Sequence, residues 1–199
     1  METILYLIRH AESTANEDGL FGGITDYNLS INGFKQAEEL AQKLKNEKID
    51  CIYSSPLKRA IQTITPTAKL MNKKINIAND LREINLGEWE NRFLSEINIE
   101  YPNEFNYIFS TEHFTGIKGQ EEMQDVANRM ENIIKEICIN NLNKSVIIVS
   151  HYAAIKSFLC KINNIPFKEA KAKIEYIGNA SIRKLVYDFD KDAFTTIQG

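Results

Sequence analysis

The sequence has few of the residues that mark disordered, collagen-like or disulfide-rich chains. Its 199 residues include only 4 prolines and 9 glycines, which excludes a collagen repeat and a low-complexity chain. The 3 cysteines, Cys51, Cys138 and Cys160, are odd in number and widely spaced, which favours reduced core thiols over a disulfide framework. We therefore expect one domain over residues 1–199 that needs neither a disulfide nor a metal ion for its stability.

Long hydrophobic runs and an excess of positive charge are also absent. No apolar stretch approaches the roughly 18 residues of a membrane span, and the first residues lack the basic segment and long apolar core of a signal peptide. With 24 basic and 27 acidic residues the net charge is −3, which argues against a non-specific nucleic-acid-binding protein. We expect a cytoplasmic protein with no nucleic-acid or membrane partner, and a homodimer is compatible with the sequence.

What the chain does contain is an alternation of apolar runs and helical periods. The runs at residues 3–8, 49–53 and 146–149 suit strands buried on both faces of a sheet. Helical periods follow them, with Ser30 and Ser55 as predicted N-caps. The pattern predicts an α/β fold, a three-layer αβα sandwich with a mostly parallel central sheet. Weaker strand patterns lie at residues 75–77, 181–189 and 194–197. A helical, lid-like insertion is expected at about residues 88–120.

Three predicted strands end in residues that can bind or transfer a phosphoryl group. Arg9 and His10 follow the first strand, residues 54–59 follow the second, and Ser150 and His151 follow the most apolar one. Because the carboxyl ends of parallel strands meet at one edge of a sheet, we expect these residues to lie close together.

The two histidines allow three interpretations. Each could be an ordinary core or surface histidine, or a metal ligand, although no further histidine or cysteine stands at ligand spacing. The third interpretation is phosphoryl transfer, since a neutral imidazole attacks phosphorus and arginines such as Arg9 and Arg59 clamp phosphate oxygens. That chemistry also needs a proton donor, and spacing alone does not distinguish Glu83 from Glu88 or Glu90.

Several motifs resemble those of the histidine phosphatase superfamily, which includes the cofactor-dependent phosphoglycerate mutases. The sequence RHAESTAN at 9–16 is similar to R-H-G-E-[ST]-x-x-N, and SSPLKRAIQT at 54–63 is similar to S-S-x-x-x-R-A-x-Q-T. The segment LREINLGEWE at 81–90 resembles L-x-E-x-x-x-G-x-W-E-G, and VSH at 149–151 resembles the motif of the second histidine. These matches extend over nearly the whole chain in the family's order.

The resemblance implies a metal-free mechanism that needs no cofactor. His10 would attack phosphorus and form a phosphohistidine. Arg9, Arg59 and His151 would hold the phosphate oxygens, over which the charge of the transition state is spread. Glu83 would protonate the leaving group and then act as the base for the attacking water.

The resemblance also covers residues around this group. Asn16 and Gly23 would contact the substrate or its phosphate, and Ser13 would orient the loop. Two positions depart from the family pattern, because Ala11 stands where glycine is usual and Tyr152 where the family has a small residue. Tyr152 either projects over the pocket and shapes substrate choice or packs as an ordinary helix residue.

Within this family, the sequence favours a phosphatase that acts on a small phosphorylated metabolite. A mutase would carry a tyrosine three residues after the acid and an adjacent basic pair in a longer insertion. Here Leu86 stands at the first position, and no basic pair lies between Glu88 and Lys118. The aromatic insertion suits a partly apolar leaving group, such as that of α-ribazole phosphate. Mutase-type phosphoryl transfer and a non-catalytic phosphate-binding module are the alternatives.

Overall fold

The computed structural model describes residues 1–107 and 117–197, without the side chains of residues 106 and 107. Strands and helices alternate through most of these two ranges, as the sequence predicts. In chain order they are β1 (Glu2–Arg9), α1 (Thr14–Asp18), α2 (Ile31–Leu44), β2 (Cys51–Ser54), α3 (Lys58–Leu70), β3 (Ile75–Ile77), α4 (Leu94–Glu100), α5 (Pro102–Tyr107), α6 (Met123–Ile139), β4 (Ser145–Ser150), α7 (Tyr152–Ile162), α8 (Ala170–Lys173), β5 (Ile182–Asp188) and β6 (Ala193–Thr196).

The six strands form one sheet in the order β3-β2-β4-β1-β5-β6. Strands β3, β2, β4 and β1 pair in parallel, while β5 pairs antiparallel with both β1 and β6. The register sets Arg9 opposite Ser150 and Ser54 opposite Val149, so the carboxyl ends of β1, β4 and β2 lie side by side. The predicted α/β fold with a mostly parallel sheet is confirmed.

Helices cover both faces of the sheet because strand residues alternate between two hydrophobic clusters. Leu5 and Leu7 of β1 pack in the larger cluster with α6 and α7. Tyr6 and Ile8 pack in the other, with apolar residues of α2 and α3. This is the three-layer arrangement that the continuous apolar run of β1 predicts.

Local signals explain one predicted helix start and not the other. Ser30 is the N-cap of α2, and its hydroxyl accepts the Gly33 N–H at 2.9 Å. The predicted cap at Ser55 is wrong, because Leu57 is the N-cap of α3 and makes no side-chain cap hydrogen bond. The Ser55 hydroxyl is instead 2.7 Å from a ring nitrogen of His151.

The described part of the predicted lid contains α4 and α5. The rings of Trp89 and Tyr101 pack on each other, 5.5 Å apart, and Trp89 also contacts Phe21 outside the lid, with the rings 5.7 Å apart. Phe109, His113 and Phe114 lie outside the described residues.

All three cysteines are free, and burial raises the pKa of the Cys138 thiol to about 12 and that of Cys160 to about 11. In the two described ranges, no helix combines the length and apolar character that crossing a membrane requires.

Candidate active site

A pocket of about 200 Å³ opens at the carboxyl end of the parallel strands. All but one of the residues predicted for the site line it, and the exception, His151, lies fully buried behind His10 with the two rings 5.1 Å apart. The predicted residues that line the pocket are Arg9, His10, Ser13, Asn16, Gly23, Arg59, Glu83 and Tyr152.

His10 is held as a neutral imidazole with a defined tautomer. Its Nδ1 is 2.6 Å from the carbonyl oxygen of Ala11, and because a carbonyl oxygen only accepts, Nδ1 carries the proton. Burial, together with the charges of Arg59 and Arg9, holds the pKa of His10 well below its ordinary range. Nε2 therefore keeps a lone pair, which is what a nucleophile toward phosphorus needs.

His151 is neutral for similar reasons, but its ring nitrogens contact protein groups. The Arg59 Nε–H donates to Nδ1 at 3.2 Å, so Nε2 carries the ring proton and donates to the Ser55 hydroxyl at 2.7 Å. Burial and the charge of Arg59 hold the pKa of His151 well below its ordinary range. For His151 to contact a phosphate oxygen, as the sequence predicts, Nε2–H would have to leave Ser55, and this contact stays a prediction.

Two buried guanidinium groups supply positive charge to the pocket. Besides its bond to His151, Arg59 donates from Nη1 to the Thr25 carbonyl at 2.8 Å and from Nη2 to the Gly23 carbonyl at 2.6 Å. Arg9 donates from Nη1 to the Ile177 carbonyl at 2.7 Å. Its buried Nε has no hydrogen-bond partner among the described residues.

The structure distinguishes Glu83 from the other two acids of its loop. Glu83 lines the pocket, whereas Glu88 is exposed and Glu90 lies outside the pocket lining. The Glu83 carboxylate accepts N–H groups of Ala153 at 3.1 Å and Ala154 at 2.9 Å, at the start of α7. The helix terminus therefore orients this carboxylate in the pocket lining.

The loop after the first strand is held by its own side chains. Ser13 caps α1, and the Asn16 Oδ1 accepts the Ser13 N–H at 3.1 Å in a capping box. This leaves the Asn16 amide nitrogen as the donor that this side chain can offer to a ligand. Gly23 has φ +42°, and a Cβ there would lie 1.8 Å from the Glu90 Oε1, so the chain requires glycine at this position.

Tyr152 lies in the pocket wall and also packs against protein groups, while its effect on substrate choice stays a prediction. It lines the pocket, and the guanidinium carbon of Arg9 lies 5.1 Å from the centre of its ring. Burial raises the pKa of its hydroxyl. The ring thus forms part of the pocket wall and stacks on Arg9.

Three residues that were not predicted to support the site do so in the structure. The Glu90 Oε1 accepts the N–H groups of Ile24 and Leu86, and its Oε2 accepts the backbone N–H and the hydroxyl O–H of Thr25. The other two are Ser55, which contacts His151, and Thr63, whose hydroxyl accepts the Ala11 N–H at 2.8 Å. All three stand within the recognised motifs, and their partners are distant in sequence, so periodicity gave no signal for them.

Metal-ligating side chains do not cluster in the part of the chain that the structure describes. Within residues 1–107 and 117–197, no three histidine, cysteine, aspartate or glutamate side chains are grouped so that they could hold a metal ion.

The chain matches a known family over nearly its whole length. The model of the histidine phosphatase superfamily (branch 1) matches residues 5–198. Phosphoserine phosphatase 1 of Hydrogenobacter thermophilus is 35% identical over 158 residues, which are 79% of this chain and 75% of the relative. The adenosylcobalamin/alpha-ribazole phosphatase of Escherichia coli is 26% identical over 163 residues, which are 81% of this chain and 80% of the relative.

A solved structure shares the fold over almost the whole of both chains. A phosphoserine phosphatase variant from Entamoeba histolytica, in complex with phosphoserine, superimposes with a TM-score of 0.85 at 27% identity, covering 98% of this chain and 95% of the other.

Proposed function

Because this chain belongs to the histidine phosphatase superfamily, we propose that it is a metal-independent phosphatase that hydrolyses a small phosphomonoester through a phosphohistidine on His10. The observation that carries this proposal is the neutral His10 imidazole, with its Nε2 lone pair, beside two buried arginines in one pocket. The phosphatases among its relatives support the same reaction class.

In the first step, the His10 Nε2 lone pair forms a bond to phosphorus while the bond from phosphorus to the ester oxygen breaks. Arg9 and Arg59 hold the non-bridging oxygens, where the charge of the transition state is greatest. Glu83 gives its proton to the departing oxygen, so the product leaves as a neutral alcohol. His151 and Ser55 keep Arg59 oriented through the Nδ1 contact.

In the second step, water attacks the phosphorus of phosphohistidine and the phosphorus–nitrogen bond breaks, with its electron pair returning to Nε2. The Glu83 carboxylate accepts the proton of that water, and inorganic phosphate leaves. Asn16 and Gly23 stand at the pocket wall to contact the substrate or its phosphate, and Ser13 fixes the position of Asn16.

The test compares two esters that differ in their need for an acid. p-Nitrophenolate leaves readily without a proton, whereas an alkoxide does not. With excess chelator present, we expect wild-type protein to hydrolyse p-nitrophenyl phosphate and an alkyl phosphate, and His10→Ala to hydrolyse neither. Glu83→Gln should lower kcat/KM for the alkyl ester by about 10²- to 10⁴-fold, and for the nitrophenyl ester far less.

The exposed neighbour Glu88 provides the matched control, since Glu88→Gln removes an acid from the same loop and should leave both reactions unchanged. Full activity of His10→Ala, or loss of activity on adding chelator, would contradict the mechanism. Tight binding of phosphate with no turnover of any ester would favour a non-catalytic binding module instead.

We further propose a cytoplasmic location and a metabolite substrate such as α-ribazole phosphate. The three free thiols support the location, because cysteines in oxidising compartments are usually paired. The partly apolar pocket wall supports an uncharged leaving group with aromatic surface. Cell fractionation and hydrolysis assays on α-ribazole phosphate test the two statements.

A further inference from the structure

Glu83 stands in a loop, residues 80–85, whose backbone lies largely outside regular structure. Residues 82–85 belong to neither a helix nor a strand. Peptide groups that leave water without a helix or sheet partner need other hydrogen-bond partners. In this segment, which we call the acid loop, side chains from other parts of the chain provide them.

Arg129 of α6 holds the acid loop by its carbonyl groups. Its Nη1 donates to the carbonyl oxygens of Asp80 at 2.7 Å and Arg82 at 2.8 Å. Its Nη2 donates to the carbonyl oxygen of Glu83 at 3.1 Å. The backbone of the proposed acid is therefore fixed by a side chain that stands 46 positions later in the sequence.

Glu121 fixes the guanidinium group of Arg129 in turn. Its Oε1 accepts the Arg129 Nε–H at 2.7 Å and its Oε2 accepts an Nη2–H at 3.0 Å, so all five N–H groups of the guanidinium are engaged. The two side chains are largely buried, with 10% and 15% of their surfaces exposed. Glu121 also contacts the acid loop directly, because its Oε2 accepts the Asn85 N–H at 3.3 Å.

Different helices thus hold the two ends of Glu83. The start of α7 binds its carboxylate through the N–H groups of Ala153 and Ala154, and Arg129 of α6 binds its carbonyl. A backbone shift would move the carboxylate relative to a bound ester. Displacement of a catalytic group by about 1 Å can lower a rate by about 100-fold.

We propose that Arg129, oriented by Glu121, is a positioning residue for Glu83 as the general acid. Arg129 is not among the described residues that line the pocket, so its effect reaches the reaction through the acid loop. This inference rests on the proposed function for the role of Glu83. It follows that Arg129 matters most for esters whose leaving group needs a proton.

The alkyl and nitrophenyl esters separate this role from a general loss of structure. Arg129→Gln should lower kcat/KM for the alkyl phosphate by about 100-fold, and for p-nitrophenyl phosphate by less than about threefold, since that leaving group needs no acid. In Glu83→Gln protein the same substitution should cause no further loss for the alkyl ester, because both changes act through one carboxylate. Equal losses for the two esters, or additive losses in the double variant, would overturn the proposal.

Lys135→Gln is the matched control, because it removes a cation from the same helix. The ion pairs of Lys135 with Glu131 at 3.3 Å and Asp192 at 3.0 Å lie away from the acid loop. The control should keep the wild-type ratio of the two kcat/KM values, and a change as large as that of Arg129→Gln would overturn the proposal.

Arg129→Lys gives the same comparison if Arg129→Gln does not fold. It keeps the positive charge beside Glu121, but an ammonium has three N–H groups for the five contacts of the guanidinium. We expect the same selective loss of alkyl phosphate hydrolysis. A wild-type ratio of the two kcat/KM values in Arg129→Lys would overturn the proposal.

A crystal structure of whichever Arg129 variant folds tests the positioning without any turnover. We expect the Glu83 carboxylate to have left the N–H groups of Ala153 and Ala154, and an unchanged Glu83 would overturn the proposal. If wild-type protein hydrolyses neither ester, the proposed function fails. The position of Glu83 in the variant then still decides whether Arg129 holds it.

Discussion

At the scale of single residues, Thr63 links the nucleophile to the helix that carries Arg59. Its hydroxyl accepts the Ala11 N–H at 2.8 Å and donates to the Arg59 carbonyl at 2.6 Å. Ala11 is in turn the residue whose carbonyl accepts the His10 Nδ1–H. Thr63 is thus a positioning residue, because its hydroxyl holds the backbone N–H of the residue whose carbonyl fixes the tautomer of His10.

Replacing that hydroxyl by a methyl group gives the first prediction. Thr63→Val leaves a buried N–H without its acceptor, so we expect the free energy of unfolding to fall by about 1–3 kcal/mol. The value of kcat should fall at least about tenfold because the His10 ring is less well oriented, while inhibition by inorganic phosphate changes little. Urea unfolding, steady-state kinetics and phosphate inhibition measure the three effects.

Thr63→Ser is the matched control, since it keeps the hydroxyl and should restore most of kcat. A Thr63→Val protein with wild-type kcat, or a Thr63→Ser protein as slow as Thr63→Val, would show that the hydrogen bond does not position the nucleophile.

At the scale of elements, two loops are joined through one carboxylate. Glu90 accepts hydrogen bonds from Ile24 and Thr25 of one loop and from Leu86 of the other. The first loop supplies the Gly23 and Thr25 carbonyls that hold Arg59. Glu90 therefore orients Arg59 through the loop that supplies these two carbonyls. None of the described hydrogen bonds joins the Glu90 and Arg59 side chains directly.

Glu90→Gln should weaken this connection, because an amide has one accepting oxygen where the carboxylate has two. We expect a loss of about 1–3 kcal/mol in the free energy of unfolding and a higher KM for phosphate esters. Thermal unfolding and kinetics test it, with Glu88→Gln as the exposed control. Equal changes in stability and KM for the two substitutions would contradict the structural role assigned to Glu90.

The main strands of the fold can be predicted from the sequence, and its shortest helices cannot. The apolar runs predict β1, β2 and β4 because strands buried on both faces need continuous hydrophobic sequence, and the strand ends then predict that Arg9, His10 and His151 come together. The short helices α1 and α8 were not predicted, since they hold too few residues to show a helical period.

Contacts between residues that are far apart in the sequence limit how much of the site can be predicted. The local sequence predicts Ser55 as a helix cap, yet its hydroxyl contacts a ring nitrogen of His151, 96 positions away. Glu83 is distinguished from Glu88 and Glu90 by its place in the pocket lining and by the N–H groups of Ala153 and Ala154, about 70 residues later. Side-chain direction at such contacts is set by tertiary packing, which local patterns do not encode.

At the scale of the whole molecule, burial of two neutral histidines makes stability depend on pH. In the unfolded chain an imidazole gains a proton near pH 6.5, whereas the folded-state pKa values of His10 and His151 lie well below their ordinary range. Below about pH 6.5 the unfolded state therefore binds more protons, and the free energy of unfolding falls as the pH decreases.

We expect this decline between about pH 6.5 and 5, at up to about 1.4 kcal/mol per pH unit for each histidine. Denaturant unfolding at several pH values measures it. His10→Asn should show a shallower decline than wild type, because one titrating group is gone while the carboxylates are unchanged. Identical pH slopes for the two proteins would contradict the neutral, buried state assigned to His10.

The most direct test of the central claim is detection of the phosphoenzyme itself. Glu83→Gln should accumulate it during reaction with p-nitrophenyl phosphate, because the base for the second step is absent while the leaving group needs no acid. After an alkaline quench, mass spectrometry should find one added phosphoryl group on the peptide that contains His10, and acid treatment should remove it. Hydrolysis that proceeds with no modified His10, or with the phosphoryl group on another residue, would contradict the mechanism.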